Sequence, residues 1–464
     1  MPVPRRHVHP IEPVVGDGLA RIRAELEVPA SFPAEVLEEA ASLRVPNDDG
    51  RVDRRDLPLV TVDPEGSTDL DQAFAIEAAD DGGHVVWYAI ADVAALVEPG
   101  GAIDAESRRR GVTLYAPDGR APLHPPALSE GIGSLLPDQD RAAVLWRLRL
   151  DPDGHLIETT VGRALVRSRA QLSYVEAQAR VDAGDPVLAA LAEVGERRLV
   201  AERERGGVSL PLPEQEVVRD GGCYHLTYRA QLPVEGWNAQ LSLLCGMAAA
   251  DLMLAGGWGL LRTLPPADPE TLATLRRQAA ALGVPWPDGA TYADVVHSVD
   301  PADPAAAAFL TQATRLFRGA GHLPVRPGSG TPDDVLVHAA IAAPYAHVTA
   351  PLRRLGDRFA TEAVLAVAAG HEPPGWVAEA LDELPGLLAA ASARAGELDR
   401  AVVDHLEALV LADHVGERFD AVVVDHRGDA SVVQLHEPAV VAGVPGTLPL
   451  GETTVVELLA ADPV

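Results

Sequence analysis

The stretch TVDPEGSTDLDQAFAIE, residues 61–77, decides how the chain is read. It sets Asp63, Asp69 and Asp71 close together and then places Gln72 where a fourth carboxylate would complete the run. On an extended segment Asp69 and Asp71, two apart, project to the same side, and the Pro-Glu-Gly-Ser-Thr turn lets Asp63 approach them. Three hard oxygen donors converging on one point suit Mg²⁺, with Mn²⁺ as the alternative, because such ions keep several waters and bridge to phosphate oxygens. A pair of such ions activates a water and stabilises the leaving oxygen in phosphodiester cleavage. The same spacing also fits a polar loop whose aspartates cap turns, so the cluster alone leaves both readings open.

A second stretch bears on the choice. In YAHVTAPLRRLGDR, residues 345–358, Arg353 and Arg354 follow a Thr-Ala-Pro turn that presents them as a helix begins. An arginine so placed can clamp a phosphate bidentately and balance charge developing on a cleaved phosphodiester. A solvated arginine pair is the plainer alternative.

Both motifs, in this order and at this separation, resemble those of the RNB catalytic domain of the ribonuclease II family. The likeness extends through VVWYAIADVAALVEPGGAIDAESRRRGVTLYAPDGRAPLHPPALSEGIGSLLPDQDRAAV and RERGGVSLPLPE, and covers roughly residues 55–370. The resemblance implies a processive 3′-to-5′ exoribonuclease that threads single-stranded RNA into a channel and releases nucleoside 5′-monophosphates. It implies Asp63, Asp69 and Asp71 as metal ligands with Gln72 in the fourth place, and Asp71 and Arg353 as the catalytic pair. By the same resemblance Arg354 supports the adjoining phosphate and Tyr174 lies near the ribose. Tyr115 would stack on terminal bases, a sequence-tolerant role because every base has a π-face. Tyr345 and Arg110 complete the implied RNA-binding set. Arg108, Arg109, Arg110 and Arg120 flank Tyr115, and Arg163, Arg167 and Arg169 precede Tyr174, so a basic channel inside an acidic shell is expected.

The departures from the family pattern are also specific. Gln72 supplies a neutral amide oxygen, one charge less than a carboxylate, which weakens one metal position. Asn238 is followed by Ser242-Leu243 where the family has paired glutamates, which leaves the preference for RNA over DNA open. Leu264, Ala350 and Leu355 replace a histidine, a serine and a tyrosine of the family pattern. These changes sustain an alternative, a catalytically weakened or silent RNA-binding protein of the same fold. A small-molecule hydrolase with an accidental acidic loop is a third reading.

Composition bounds the remainder. The 464 residues suffice for two or three domains, and 38 basic against 68 acidic residues give a formal charge of -30. Such a molecule repels polyanions at long range, so a nucleic-acid function requires a local basic surface. Two cysteines, Cys223 and Cys245, exclude a disulfide framework and read as small core hydrophobes in a cytoplasmic protein. No signal peptide is apparent in MPVPRRHVHP, and no uninterrupted apolar run reaches the roughly 20 residues of a membrane span.

The expected fold is an α/β (α+β) RNB catalytic domain, residues 56–412, with a small helical, winged-helix-type module at 1–55 and a small OB-type β-barrel at 413–464. Residues 1–55 are too few for two cold-shock barrels. In the N-terminal module Ser31 is the expected cap of a helix with Pro33 in its first turn. The C-terminal barrel has few aromatics, so base stacking is not expected there. Structured RNA with a 3′ end joins single-stranded RNA as an expected partner, and oligomeric state is not legible.

Overall fold

The alternating runs QAFAIEA and HVVWYAIA, separated by Asp-Asp-Gly-Gly, form the antiparallel hairpin Gln72–Ala78 and His84–Ala91. The computed structural model describes residues 6–9, 13–46, 50–211, 214–220, 223–229, 231–301, 303–328, 330, 332–435, 437–438 and 440–463. Leu59–Asp63 pairs antiparallel with the hairpin's first strand and parallel with the long strand Leu156–Ser173. Asp140–Leu150 pairs with both His84–Ala91 and Leu156–Ser173. The five strands therefore close into a ring, which satisfies edges that would otherwise stand open.

Both faces of this sheet are buried. Val60, Val62, Phe74, Val86, Tyr88, Ile90 and Trp146 pack with the helices Pro186–Arg205, Pro233–Gly256 and Leu355–Ala368. Leu59, Ala73, Ala75, Ala89 and Ala143, one step out of phase, pack with Val36 and Ile103 of the helices Ala34–Ser42 and Ala102–Arg110. Fully burying a side chain such as Phe74 contributes about 1.5–3 kcal/mol. A one-residue slip would exchange the two faces, so the pattern fixes the register.

Pro233–Gly256, the described helix long and apolar enough to cross a membrane, is packed into this core. Pro233 opens it and Gly257, at φ 71°, closes it in the left-handed conformation. Midway, Gly246 lets Tyr345 lie against the helix, since a Cβ there would come 2.1 Å from the ring. That contact fixes the segment leading to Arg353.

The N-terminal helix Pro13–Glu25 packs on the long helix Leu384–Leu411 through Val15, Leu19 and Ile22. The next helix begins at Ala34 and is not capped by Ser31. Pro33 stays extended, with ψ 153°, and its carbonyl receives Val36 and Leu37, while the Ser31 carbonyl accepts from Arg110. One sheet lies in a region whose sequence reads as helical: Glu214–Asp220 and Cys223–Arg229 form a hairpin, joined in parallel by Arg6–His9.

At the C-terminal end four antiparallel strands, ordered Val441–Pro445, Ala430–Leu435, Arg418–Arg427 and Thr453–Glu457, form an OB-type module over Val423, Val433 and Leu435.

Candidate active site

The acidic run is held by its apolar residue. Leu70 is fully buried, its N–H donates to Ser134 Oγ at 2.9 Å and its carbonyl accepts from Leu135 at 2.9 Å. With Leu70 pinned inward, its neighbours Asp69 and Asp71 point the other way, together. The turn after Asp63 closes with Ser67 N–H donating to the Pro64 carbonyl at 3.1 Å and Gly66 at φ 75°. A non-glycine residue would be strained there.

Asp71 is 3% exposed and lies where the two distant motifs meet. Its Oδ1 accepts from the Leu352 N–H at 2.8 Å and its Oδ2 faces Arg353 Nε at 3.2 Å. Burial pushes the Asp71 carboxyl up to about 8, against the opposing pull of Arg353 and the Leu352 amide. Burial also works against the Arg353 guanidinium, but Asp71, Tyr115, Asp63 and Asp69 around it raise its pKa overall. Arg353 keeps 39% of its side chain exposed, so it reaches both the carboxylates and solvent.

The arginine turn is itself braced. Asp357, buried, accepts from the Ala350 N–H at 2.8 Å and from Arg354 Nε and Nη2 at 3.0 and 2.7 Å. Arg354 also donates to Thr349 Oγ1 at 3.3 Å. Thr113 donates to the Arg353 carbonyl at 3.0 Å and Leu355 to the Gly111 carbonyl at 3.1 Å. These bonds carry Tyr115 to the site on the hairpin Leu114–Ala116 and Gly119–Ala121. Tyr115 is 52% exposed, with its hydroxyl donating to Asp69 Oδ2 at 3.4 Å. An aromatic presented in this way can stack on a base.

Gln72 starts its strand opposite Ile90, and its Oε1 accepts from the hydroxyl of Tyr88. Tyr88 is fully buried and also contacts the Ser242 hydroxyl, which meets Thr349 Oγ1 at 2.8 Å. The amide oxygen expected to complete the metal set is therefore engaged by a phenol. Asn238 Nδ2 donates to the Val62 carbonyl at 3.1 Å and braces the strand ending at Asp63.

The other sequence-derived residues divide. Tyr174 opens the helix Tyr174–Asp182 directly after Ser173, which pairs with Asp63, so it stands beside the acidic run. Tyr345 is buried and its hydroxyl is pushed up to about 12, chiefly by burial. Arg110 is buried away from the site, bound to Glu106, the Pro122 and Ser31 carbonyls and the ring of Phe32.

The expected basic channel is largely neutralised. Arg108 pairs with Asp104, Arg109 with Glu106, and Arg120 with Asp69 and Glu130. Arg163 pairs with Asp92 and Glu362, and Arg167 with Asp140. Tyr88 and Arg120's pairing with Asp69 escaped the sequence reading. Only Tyr88 had a readable signal, its place diagonally across the hairpin from Gln72.

The donor set suits a hard divalent cation: Asp63, Asp69 and Asp71 all act on Arg353, and Asp69 raises Asp71. Their oxygens are spread more widely than those of Asp151, Asp153 and His155, the described group whose ligand atoms all lie within 4.8 Å of one another. A hard divalent ion that keeps part of its water shell would reach such a spread set through those waters.

Residues 51–369 match the RNB domain family, and residues 417–464 match the RNase II-type exonuclease C-terminal S1 domain. The chain belongs to the RNB domain family. Ribonuclease R of Escherichia coli strain K12 is 30% identical over 446 residues, covering 89% of this chain and 53% of that protein. The chain thus spans about half the length of that curated relative. Among solved structures, Mycoplasma genitalium RNase R in complex with ribose methylated single-stranded RNA gives a TM-score of 0.79 at 20% identity, covering 92% of this chain and 70% of that one. Yeast Ssd1, a pseudonuclease, gives 0.70 at 15% identity, covering 94% and 56%. At these identities the two structures show the fold alone.

Proposed function

We propose that the chain is a metal-dependent, processive 3′-to-5′ exoribonuclease that hydrolyses single-stranded RNA, and structured RNA with a 3′ end, to nucleoside 5′-monophosphates. The observation that carries this reading is the junction of Asp71 with Leu352 and Arg353, residues 281 and 282 positions away brought to hydrogen-bond distance. Family membership supports it, as does the RNA-bound state of a structural relative.

Asp63, Asp69 and Asp71 would hold Mg²⁺ or Mn²⁺, which supplies Lewis acidity to a phosphoryl oxygen and a more acidic water. Arg353 is placed to bind the phosphoryl oxygens as charge gathers on them, with its Nε directed at Asp71. Tyr115 offers its exposed ring to a base and Tyr174 stands by the strand end that carries Asp63. Arg354, tied to Asp357, holds the shape of the turn that presents Arg353.

The test is a 5′-labelled single-stranded RNA incubated with Mg²⁺ or Mn²⁺. A ladder of shortening products is expected, absent in Asp71→Asn and slowed about 10²–10³-fold in Arg353→Ala. A second reading, RNA binding without cleavage, is favoured by the engagement of Gln72 with Tyr88. Binding without shortening, equal in wild type and Asp71→Asn, would replace the enzyme with that reading.

A further inference from the structure

Tyr115 stands on a hairpin that cannot hold itself. Leu114–Ala116 and Gly119–Ala121 form a two-stranded sheet of their own, and such a hairpin alone is marginal in water. Its base is rooted in the catalytic turn, where the Thr113 N–H donates to the Arg353 carbonyl and Val112 bridges to Arg354. Alternation along the strands then gives the hairpin two faces. Tyr115 and its cross-strand partner Arg120 face the acidic run, where both meet Asp69. Leu114 and Ala121, the neighbouring pair, turn the other way and pack with Leu19, Ile22 and Leu398 of the helices Pro13–Glu25 and Leu384–Leu411.

The tip of the hairpin is held as well. Arg23, in the last turn of Pro13–Glu25, crosses to Asp118 in the turn between the two strands. Its Nη1 donates to Asp118 Oδ2 at 2.8 Å and its Nη2 donates to Oδ1, so the guanidinium grips both carboxylate oxygens. The two side chains are only 28% and 18% exposed, and a two-point grip of this kind fixes direction as well as distance. On the opposite face Arg120 ties the hairpin to Asp69, Thr68 and Glu130. Asp69 belongs to the proposed cation set, so that tie competes with a metal ion. Asp118 stands outside the set, and the grip of Arg23 meets no such competition.

We propose that the N-terminal helix positions the base-stacking platform, with Arg23, through Asp118, holding the Tyr115 ring in place for a base. The ligand, single-stranded RNA, rests on the reading under Proposed function. Arg23 itself touches no substrate and is a positioning residue. A ring fixed in advance binds a base without first losing its own freedom, so loosening the tip weakens binding and leaves Asp71 and Arg353 as they are. Any effect of Arg23 on RNA must then pass through Tyr115.

The experiment is a double-mutant cycle, read by fluorescence anisotropy of a labelled single-stranded RNA oligonucleotide with metal-free protein. Arg23→Ala is expected to weaken binding about fourfold in the wild-type background and by less than about 1.5-fold in the Tyr115→Ala background. Asp118→Asn should reproduce that loss, and the reversed pair, Arg23→Asp with Asp118→Arg, should recover most of it. With Mg²⁺ the Arg23→Ala variant should raise KM by the same factor and keep kcat within about twofold, whereas a partly unfolded protein would lower kcat. Folding is checked by circular dichroism, and Asp118→Asn, which leaves the helix unchanged, carries the cycle if Arg23→Ala does not fold. No loss in Arg23→Ala, or an equal loss with and without Tyr115, overturns the proposal. A wild-type protein that gives the expected cycle without a cleavage ladder keeps the platform and removes only the exonuclease reading. One that binds no RNA overturns both.

Discussion

Gln72 shows how much one residue can alter a site without dismantling it. Its oxygen is already held by Tyr88, so the centre presents the three carboxylates of Asp63, Asp69 and Asp71. Cation affinity at such sites follows the number of charged ligands. Gln72→Asp is therefore expected to raise Mn²⁺ affinity about tenfold, read from electron paramagnetic resonance titrations; an unchanged affinity would show that position 72 faces away from the ion. Affinity should also depend on pH. Burial raises the Asp71 carboxyl to about 8, so at neutral pH an incoming cation must displace its proton. Mn²⁺ affinity is expected to rise with pH up to about 8 and to level off above it, with the rise missing in Asp71→Asn. Local spacing left the aspartates and Arg353 open to plainer readings, and it was the family resemblance that implied a shared site; the structure brings Asp71 and Arg353 together. The Tyr88 bond was not legible, because it exists only once the hairpin register is set. Arg110 misled for the opposite reason: it sits in a basic run, yet Glu106 one helical turn before it and Phe32 draw it into the interior.

Among the elements, the N-terminal helix was legible from its 3.6-residue spacing, but the partner it packs on was not. It lies against Leu384–Leu411, where Gly18 sits so close to the buried His405 that a Cβ would come 2.2 Å from the ring. Burial lowers the His405 pKa, with Arg21 adding to the effect and a backbone contact at Val15 opposing it. The folded state therefore keeps this ring neutral to lower pH than the unfolded chain does. The stability it contributes is complete above the unfolded value of about 6.5 and is lost as pH falls below it. Amide protection factors in residues 13–25, corrected for the intrinsic pH dependence of exchange, should fall between pH 7 and 5, and His405→Phe should flatten that change; an identical fall in the variant would place the sensitivity elsewhere. The paired strands Glu214–Asp220 and Cys223–Arg229 were missed because they are short and lie between long helical patterns, although Asp-Gly-Gly in the sequence is a turn signal. The first strand's parallel partner, Arg6–His9, is some two hundred residues away in sequence, beyond the reach of any local pattern.

At the scale of the whole molecule the proposed function raises the question of how a chain of formal charge -30 would hold a polyanion. The arginines that suggested a basic channel are mostly paired with carboxylates, and Arg353 and Arg354 at the turn are themselves shared with Asp71 and Asp357. Single-stranded binding loses affinity with salt at a log–log slope of about -0.7 per phosphate neutralised, so two such contacts give about -1.4. The acidic shell pushes the slope closer to zero, because added salt screens its repulsion within a Debye length of about 10 Å at 0.1 M. Affinity must then rest largely on stacking at Tyr115 and on neutral donors, which salt scarcely affects. Fluorescence anisotropy of a labelled oligonucleotide with Asp71→Asn, across salt concentrations, is expected to give this shallow slope and a marked loss of affinity in Tyr115→Ala at every concentration. A slope steeper than about -4 would mean that at least five phosphates are neutralised. In that case the carboxylate pairs must open when RNA binds, and the arginines flanking Tyr115 would regain the role their sequence suggested.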